Sequence, residues 1–272
     1  MSGTLLVSFV GGGNMARSLI AGLIEAGTPA QCIEVIEPQA SLRDGLQEQY
    51  GVLVAADIAS ANLRADSWVL AVKPQVMAGV CTALASRIVG QQQVISIAAG
   101  ITTATLQQWL GSAACVVRAM PNTPALLGAG MSGLYADPAI GPQQRGQAER
   151  ILAAAGQVRW VQEENLMDVV TAVSGSGPAY VFAVAEAMQA AAMDNGLDAD
   201  SAHQLVVQTI IGAGRMLAES GQSPSQLRQA VTSPNGTTQA ALEVFSAGGL
   251  NDLFAAAIAA AAERGRQLAK SG

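Results

Sequence analysis

Along the first half of the chain, short apolar runs alternate with stretches of helical periodicity. Leu5–Val10 is an apolar run ended by glycines, and a helical pattern follows through Leu19, Ile20, Leu23 and Ile24 to Gly27. Further strand-like runs lie at Cys32–Ile36, Val52–Val54, Trp68–Val72, Gln93–Ala98 and Cys115–Arg118, with helix-compatible segments between most of them. This alternation predicts a parallel sheet with helices on both faces. Gly130–Tyr135 and Val158–Val161 read as extra strands near the end of that domain. From about Glu163 the strand runs cease and Ala, Gln, Leu and Met dominate. Asp168–Val173 ends in Ser174-Gly175-Ser176-Gly177, and Pro178 sits where a first helical position favours proline. Asn195-Gly196 closes that helix, and Ala199–Ser220, Pro224–Val231, Thr237–Phe245 and Leu250–Lys270 follow. Several of these helices are apolar nearly all round, which implies burial on more than one side. The expected architecture is α/β: a doubly wound parallel sheet over residues 1–162, then an all-helical domain over 163–272 that serves as a dimer interface.

Length and composition agree with this division. A chain of 272 residues has room for two cores. Hydrophobic residues make up 50% and charged residues 12%, with mean hydropathy +0.33, so a membrane reading needs testing. A spanning helix needs about 20 unbroken apolar residues. Val169–Met193 is interrupted by Ser174–Pro178 and carries Glu186, while Leu253–Ala262 is too short. No membrane span is expected, and the surplus apolar surface is assigned to contacts between subunits. The first residues show no basic stretch, apolar core and cleavage site. Cys32, Cys81 and Cys115 are widely spaced in apolar surroundings, which fits reduced thiols in a cytosolic protein rather than disulfides or a metal site. Net charge is −6 with no basic run, which argues against nucleic acid as a partner. An anionic substrate would have to be held by local groups.

Gly11-Gly12-Gly13-Asn14-Met15-Ala16 follows the first strand and opens the first helix, matching G-x-G-x-x-G/A. The first glycine allows a tight turn, the second lets a pyrophosphate approach, and a small third residue lets helix pack on strand. The strand before, the helix after and the parallel pattern beyond make this a Rossmann-type dinucleotide site. Glu37 ends the second strand, where a carboxylate accepts from ribose hydroxyls and repels a 2′-phosphate. Taken alone it favours NADH. Arg43, on the next helix, could reach a phosphate, although a solvated helix charge is the preferred reading. Ala71-Val72-Lys73-Pro74 and Ala98-Ala99-Gly100 close the fourth and fifth strands, where ligands of such sheets lie. A structural turn explains either segment nearly as well when taken singly.

Missing residues narrow the chemistry. The lysines are Lys73, in the cofactor turn, and Lys270, in the tail, and the single histidine is His203, in a polar stretch that suits a surface role. Carbonyl reduction needs a positioned acid; an imine can take its proton from solvent, so orientation and electrostatics suffice. Ser233-Pro234-Asn235-Gly236-Thr237-Thr238 leads straight into the apolar helix Gln239–Phe245. Free N–H groups at such a helix start bind a carboxylate without any lysine, but a plain N-cap is an equal alternative.

Together these residues resemble the pyrroline-5-carboxylate reductase family from the first strand to the last helix. The segments are GGGNMA at Gly11, AVKP at Ala71, SIAAG at Ser96, MPNTP at Met120, TAVSGSGPAYVF at Thr171 and VTSPNGTTQAAL at Val231. The resemblance implies reduction of 1-pyrroline-5-carboxylate to proline by NADPH or NADH, the last step of proline biosynthesis. It implies that Thr238 bonds the ring nitrogen and is the catalytic residue, while Ser233, Gly236 and Thr237 hold the carboxylate. Asn122 would shape the nicotinamide end and Glu164 would lie near the substrate. Gly175 and Pro178 would open the interface helix, and dimers with interlocked helical domains would build a larger ring. Similar enzymes often carry Asn after the third strand, where this chain has Ala56-Asp57-Ile58, and with Glu37 this departs from the NADPH preference usual in the family. Two alternatives are a related two-domain reductase of a small keto or hydroxy acid and a nucleotide-binding regulator without turnover. The lack of a lysine in the helical domain before the tail opposes the first, and the intact Ser233–Thr238 segment opposes the second.

Overall fold

The structure, a computed structural model, describes residues 5–90, 92–111 and 114–271; the side chains of Lys270 and Ser271 lie outside the described residues. The chain divides into two compact units, Met1–Ser176 with Ala260–Gly272, and Gly177–Ala259.

The first unit is built on an eight-stranded sheet. Its strands are β1 Val7–Val10, β2 Ile33–Ile36, β3 Leu53–Ala55, β4 Ser67–Leu70, β5 Gln93–Ser96, β6 Cys115–Met120, β7 Gly130–Ala136 and β8 Gly156–Trp160. The helices are α1 Asn14–Glu25, α2 Ala40–Tyr50, α3 Pro74–Ala85, α4 Thr103–Leu110, α5 Pro142–Ala153 and α6 Leu166–Val170. The strand order is β3-β2-β1-β4-β5-β6-β7-β8. On one face Val7, Phe9, Val35 and Ile95 pack with Leu19 and Ile20 of α1 and with Ile151 and Leu152 of α5. On the other, Val10, Ile36, Leu70 and Val94 pack with Met77 and Leu84 of α3 and with Leu106 of α4. Covering both faces is why the inner strands read as continuous apolar runs rather than alternating ones. The sheet is not wholly parallel: β7 runs antiparallel to β6. The link between them holds only a 3-10 turn at Thr123–Leu127, and a parallel return needs a crossover of a dozen or more residues.

The second unit contains α7 Gly177–Asp194, α8 Ala199–Glu219, α9 Pro224–Ala230, α10 Thr237–Ala247 and the first part of α11 Leu250–Ser271. Asp198 caps α8 by accepting from the Ser201 N–H, and Ser223 and Gln226 form a capping box on α9. None of the residues of α7, α9 or α10 is buried. Phe182 is 67% exposed and Phe245 54%.

The Ser174–Pro178 segment was expected to interrupt the apolar run, and the structure corrects this. Thr171–Gly175 forms a π-turn that passes α6 on towards α7. Leu166–Asp194 is consequently a 29-residue helical stretch, long and apolar enough by length and composition to cross a bilayer, and little of it is buried. Packing explains the turn. A Cβ on Gly175 would lie 2.6 Å from the Met120 methyl, and one on Gly133 would overlap Val170 of α6.

All cysteines are free: Cys81 is buried, and Cys32 and Cys115 are half-buried. Burial pushes the Cys81 thiol up to about 11, which leaves it protonated and unreactive near neutrality.

Candidate functional site

The glycine loop sits where the strand order turns, with β1 paired to β2 on one side and β4 on the other. The Gly11 N–H donates to the Ile36 carbonyl at 2.8 Å, and the Ala71 N–H donates to the Val10 carbonyl at 2.8 Å. Gly11 has φ +100°, and a Cβ there would stand 2.6 Å from the Ala71 oxygen, so no other residue fits. Gly13 differs: a Cβ would meet nothing within 4 Å. It caps α1 without a side-chain acceptor, so the first-turn N–H groups of the helix open onto unfilled space. That cradle fits the pyrophosphate of a dinucleotide, which a side chain at Gly13 would displace. Asn14 and Met15 form the first turn of α1, and Ala16 is buried against the sheet.

At the end of β2, the Glu37 carboxylate accepts from the Gly12 N–H at 2.9 Å and the Gln39 N–H at 3.0 Å. The Glu37 carboxylate is thus tied to the glycine loop. Arg43 donates to the backbone carbonyls of Glu37 at 2.8 Å and Pro38 at 2.7 Å, so its guanidinium folds back on the chain. Beyond β3, a hydrogen bond from the Ser60 N–H holds the Asp57 carboxyl below its usual value. These groups make the region rich in acceptors. Ala71 and Val72 are half-buried, Lys73 is exposed at the N-cap of α3, and Pro74 opens that helix. Ala98 and Gly100 are buried, and Ala99 is half-buried.

Asn122 and Glu164 both have protein partners. The Asn122 amide donates to the Ser174 carbonyl and hydroxyl at 3.2 and 3.3 Å, and its oxygen accepts from the Met131 N–H at 2.9 Å. It brackets the loop after β6 to the π-turn. Glu164 accepts from the Thr103 N–H at 2.7 Å and the Thr103 hydroxyl at 2.8 Å, and pairs with Arg118 at 3.4 Å. Arg118 also pairs with Asp168 at 3.2 Å, and its side chain is 4% exposed. Sequence reasoning missed Thr103, Arg118 and Asp168. The available signal was Arg118 itself, a charge inside an apolar strand.

In the second unit, α10 starts differently from its neighbours. Its N-cap is Gly236, with no side-chain cap. The Gly236 N–H donates to the Ser233 carbonyl at 3.0 Å, and Gln239 accepts from the Asn235 N–H at 2.8 Å. Asn235, φ +59°, is the single non-glycine residue with positive φ among the described residues. The hydroxyls of Ser233, Thr237 and Thr238 have no protein partner among the described residues. Ser233 and Thr237 are exposed and Thr238 is half-buried. The plain N-cap reading is not what the structure shows. His203 is exposed on α8, 3.4 Å from the Gln189 amide. Among the described residues, no cluster of His, Cys, Asp and Glu is placed to hold a metal ion.

Strand order and glycine cradle define a dinucleotide-dependent oxidoreductase carrying a helical second unit. The comparisons narrow this. Residues 164–268 match the model for pyrroline-5-carboxylate reductase dimerisation, and residues 6–100 match that for coenzyme F420-dependent NADP oxidoreductases. The pyrroline-5-carboxylate reductase of Pseudomonas aeruginosa is 46% identical, with 97% of each chain covered. A solved pyrroline-5-carboxylate reductase from Coxiella burnetii superposes with TM-score 0.94 at 43% identity, covering 97% of this chain and 98% of that one. The Plasmodium falciparum enzyme, solved with NADP bound, gives TM-score 0.84 at 26% identity, with 97% and 98% covered. This chain belongs to the pyrroline-5-carboxylate reductase family.

Proposed function

We propose that the chain reduces 1-pyrroline-5-carboxylate to L-proline with NADPH or NADH, as a cytoplasmic homo-oligomer whose dimers assemble into a ring. The observation that carries the substrate half is the start of α10: first-turn N–H groups and the hydroxyls of Ser233, Thr237 and Thr238, none engaged with the described protein. N–H groups at a helix start attract a carboxylate through both bonding and dipole. Gly236 and Ser233 let the carboxylate approach, Thr237 adds a donor, and the Thr238 hydroxyl accepts from the protonated ring nitrogen. Fixing that nitrogen orients the C=N carbon.

Residues 1–162 carry the nucleotide and 163–272 carry substrate recognition and self-association. Gly11 to Ala16 hold the pyrophosphate and Glu37 the ribose, while Ala71 to Pro74 and Ala98 to Gly100 line the cofactor. When bound, the reduced nicotinamide supplies the hydride. Glu164 supports the Ala98–Gly100 segment through Thr103, and Asn122 ties the loop after β6 to the π-turn at the nicotinamide end. Apolar helix surface such as Phe182 faces a second copy of the chain rather than lipid, in keeping with the family's dimerisation segment.

Loss of NAD(P)H absorbance with pyrroline-5-carboxylate, compared with ketopantoate and 3-hydroxyisobutyrate, tests the reading. Turnover of the imine alone is expected; preference for either of the other compounds, or no turnover, would overturn it.

A further inference from the structure

We propose that the buried Arg118–Glu164–Asp168 cluster is a positioning device that grips the Ala98–Gly100 loop from two sides. The inference rests on the reading that this loop lines the cofactor. One route runs through Glu164. Thr102 caps α4 by accepting from the Thr105 N–H at 3.1 Å. The Thr103 N–H and hydroxyl are taken instead by Glu164, at 2.7 and 2.8 Å, from 61 residues further along the chain. The first turn of α4 follows Gly100 almost directly, so fixing Thr103 fixes the loop's exit. The other route runs through Asp168. A Cβ on Gly265 of α11 would lie 3.4 Å from an Asp168 carboxylate oxygen, so that helix passes close over the acid. Near its end, Leu268 and Ala269 abut Gly100, where a Cβ would stand 3.2 and 3.3 Å away. Gly100 has φ +75°, and the space where a side chain would stand is taken by that helix end.

Arg118 joins the two routes, pairing with Glu164 at 3.4 Å and Asp168 at 3.2 Å. A guanidinium suits this task because its planar fork serves two carboxylates at fixed angles. The loop's entry is held independently, by the Ile97 N–H donating to the Leu70 carbonyl at 3.2 Å. Removing the cluster's grip should therefore loosen the loop's far side while leaving the sheet intact. Glu164 and Arg118 act through other residues and are positioning residues.

The test uses the full chain and pairs Thr103→Val, which removes one donor at constant charge, with Thr103→Ser, which keeps it; Glu164→Gln is the third variant. The dissociation constant for NADPH, followed by its fluorescence, is expected to rise about three- to tenfold in Thr103→Val and Glu164→Gln, the range of one lost hydrogen bond. Thr103→Ser should bind like the wild type. In the nucleotide-free protein, amide exchange at Ala99 and Gly100 should quicken in Glu164→Gln while that at the glycine loop stays unchanged. Lowered melting temperature with unchanged nucleotide affinity and exchange would mean a structural role only and overturn the proposal. A raised substrate KM with unchanged NADPH affinity in Glu164→Gln would make Glu164 a substrate ligand and also overturn it. The nucleotide-affinity and amide-exchange readouts need no pyrroline substrate, so failure of the proposed reaction would leave them standing; a wild type that binds neither nucleotide would sink both.

Discussion

Two phenylalanines show how differently the chain treats its apolar residues. Phe9, in β1, is fully buried between sheet and helices of the first unit, whereas Phe182, in α7, is 67% exposed. The first unit completes its own core: all residues of β1, β2, β4 and β5 are buried. The second does not, since α7, with eighteen residues, has none buried. Hydrophobicity along a sequence thus says that a surface will be covered, but not that the same chain covers it. In a family whose helical segment is a dimerisation region, the uncovered face of the second unit marks self-association.

The strongest test of this contrast places a charge on each side of it. Fully burying a Phe is worth about 1.5–3 kcal/mol, and a symmetric interface counts it twice. Phe182→Asp should therefore weaken the dimer by at least about a hundredfold, which sedimentation would report as monomer at micromolar concentration. Val89, 75% exposed in the first unit, is the control: Val89→Asp should shift stability by no more than about 0.5 kcal/mol. An unchanged assembly in Phe182→Asp would remove α7 from the interface.

Within the first unit, the glycine loop separates fold from site. Gly11→Ala meets the Ala71 carbonyl at a positive φ and should cost about 1–3 kcal/mol in strain, seen as a lowered melting temperature together with loss of nucleotide binding. Gly13→Ala meets nothing; calorimetry should show stability kept within about 0.5 kcal/mol while nucleotide affinity falls. Equal thermal damage in both would mean that Gly13 is structural. The smallest effect is expected at Glu37. Glu37→Ser removes the carboxylate proposed to read the ribose and should shift the NADPH-to-NADH ratio of kcat/KM about five- to tenfold towards NADPH, or about 1–1.4 kcal/mol. An unchanged ratio would take Glu37 out of the ribose site.

What the sequence disclosed followed how local each signal is. The glycine loop, its strand and its helix are contiguous, and the inner strands announced themselves because both faces are covered. The reversal of β7 was invisible to hydrophobic pattern, which carries no strand direction; only the brevity of the Pro121–Ala129 link held that information. Ser174–Gly177 read as a helix end because glycine and serine disfavour helices. The structure puts Ser174 and Gly175 in the π-turn and starts α7 at Gly177, the turn held by the Asn122 bracket and by Met120 against Gly175. The Arg118 cluster joins residues 46 and 50 positions apart, beyond any periodicity. At α10 the residues were legible but their role was not: pattern alone left cap and anion site equal, and the roles of Ser233 to Thr238 came from resemblance. The absence of a side-chain cap at Gly236 is what the structure adds.

The proposal that orientation, rather than a dedicated acid, drives the reaction at α10 is most directly tested by steady-state kinetics of Thr238→Ala and Thr238→Ser with pyrroline-5-carboxylate. Losing one hydrogen bond to a polar or charged group costs about 1.5–3 kcal/mol, or about ten- to a hundredfold in kcat/KM, whereas loss of a general acid costs about 10²–10⁴-fold. Thr238→Ala should fall within the smaller range, Thr238→Ser should keep most activity, and NADPH affinity should stay near wild type in both. The helix should persist, since its N-cap is Gly236 and no side chain caps it. A Thr238→Ala enzyme with wild-type rate and affinity would place the substrate site elsewhere, and a loss beyond about a thousandfold would show that Thr238 does more than orient.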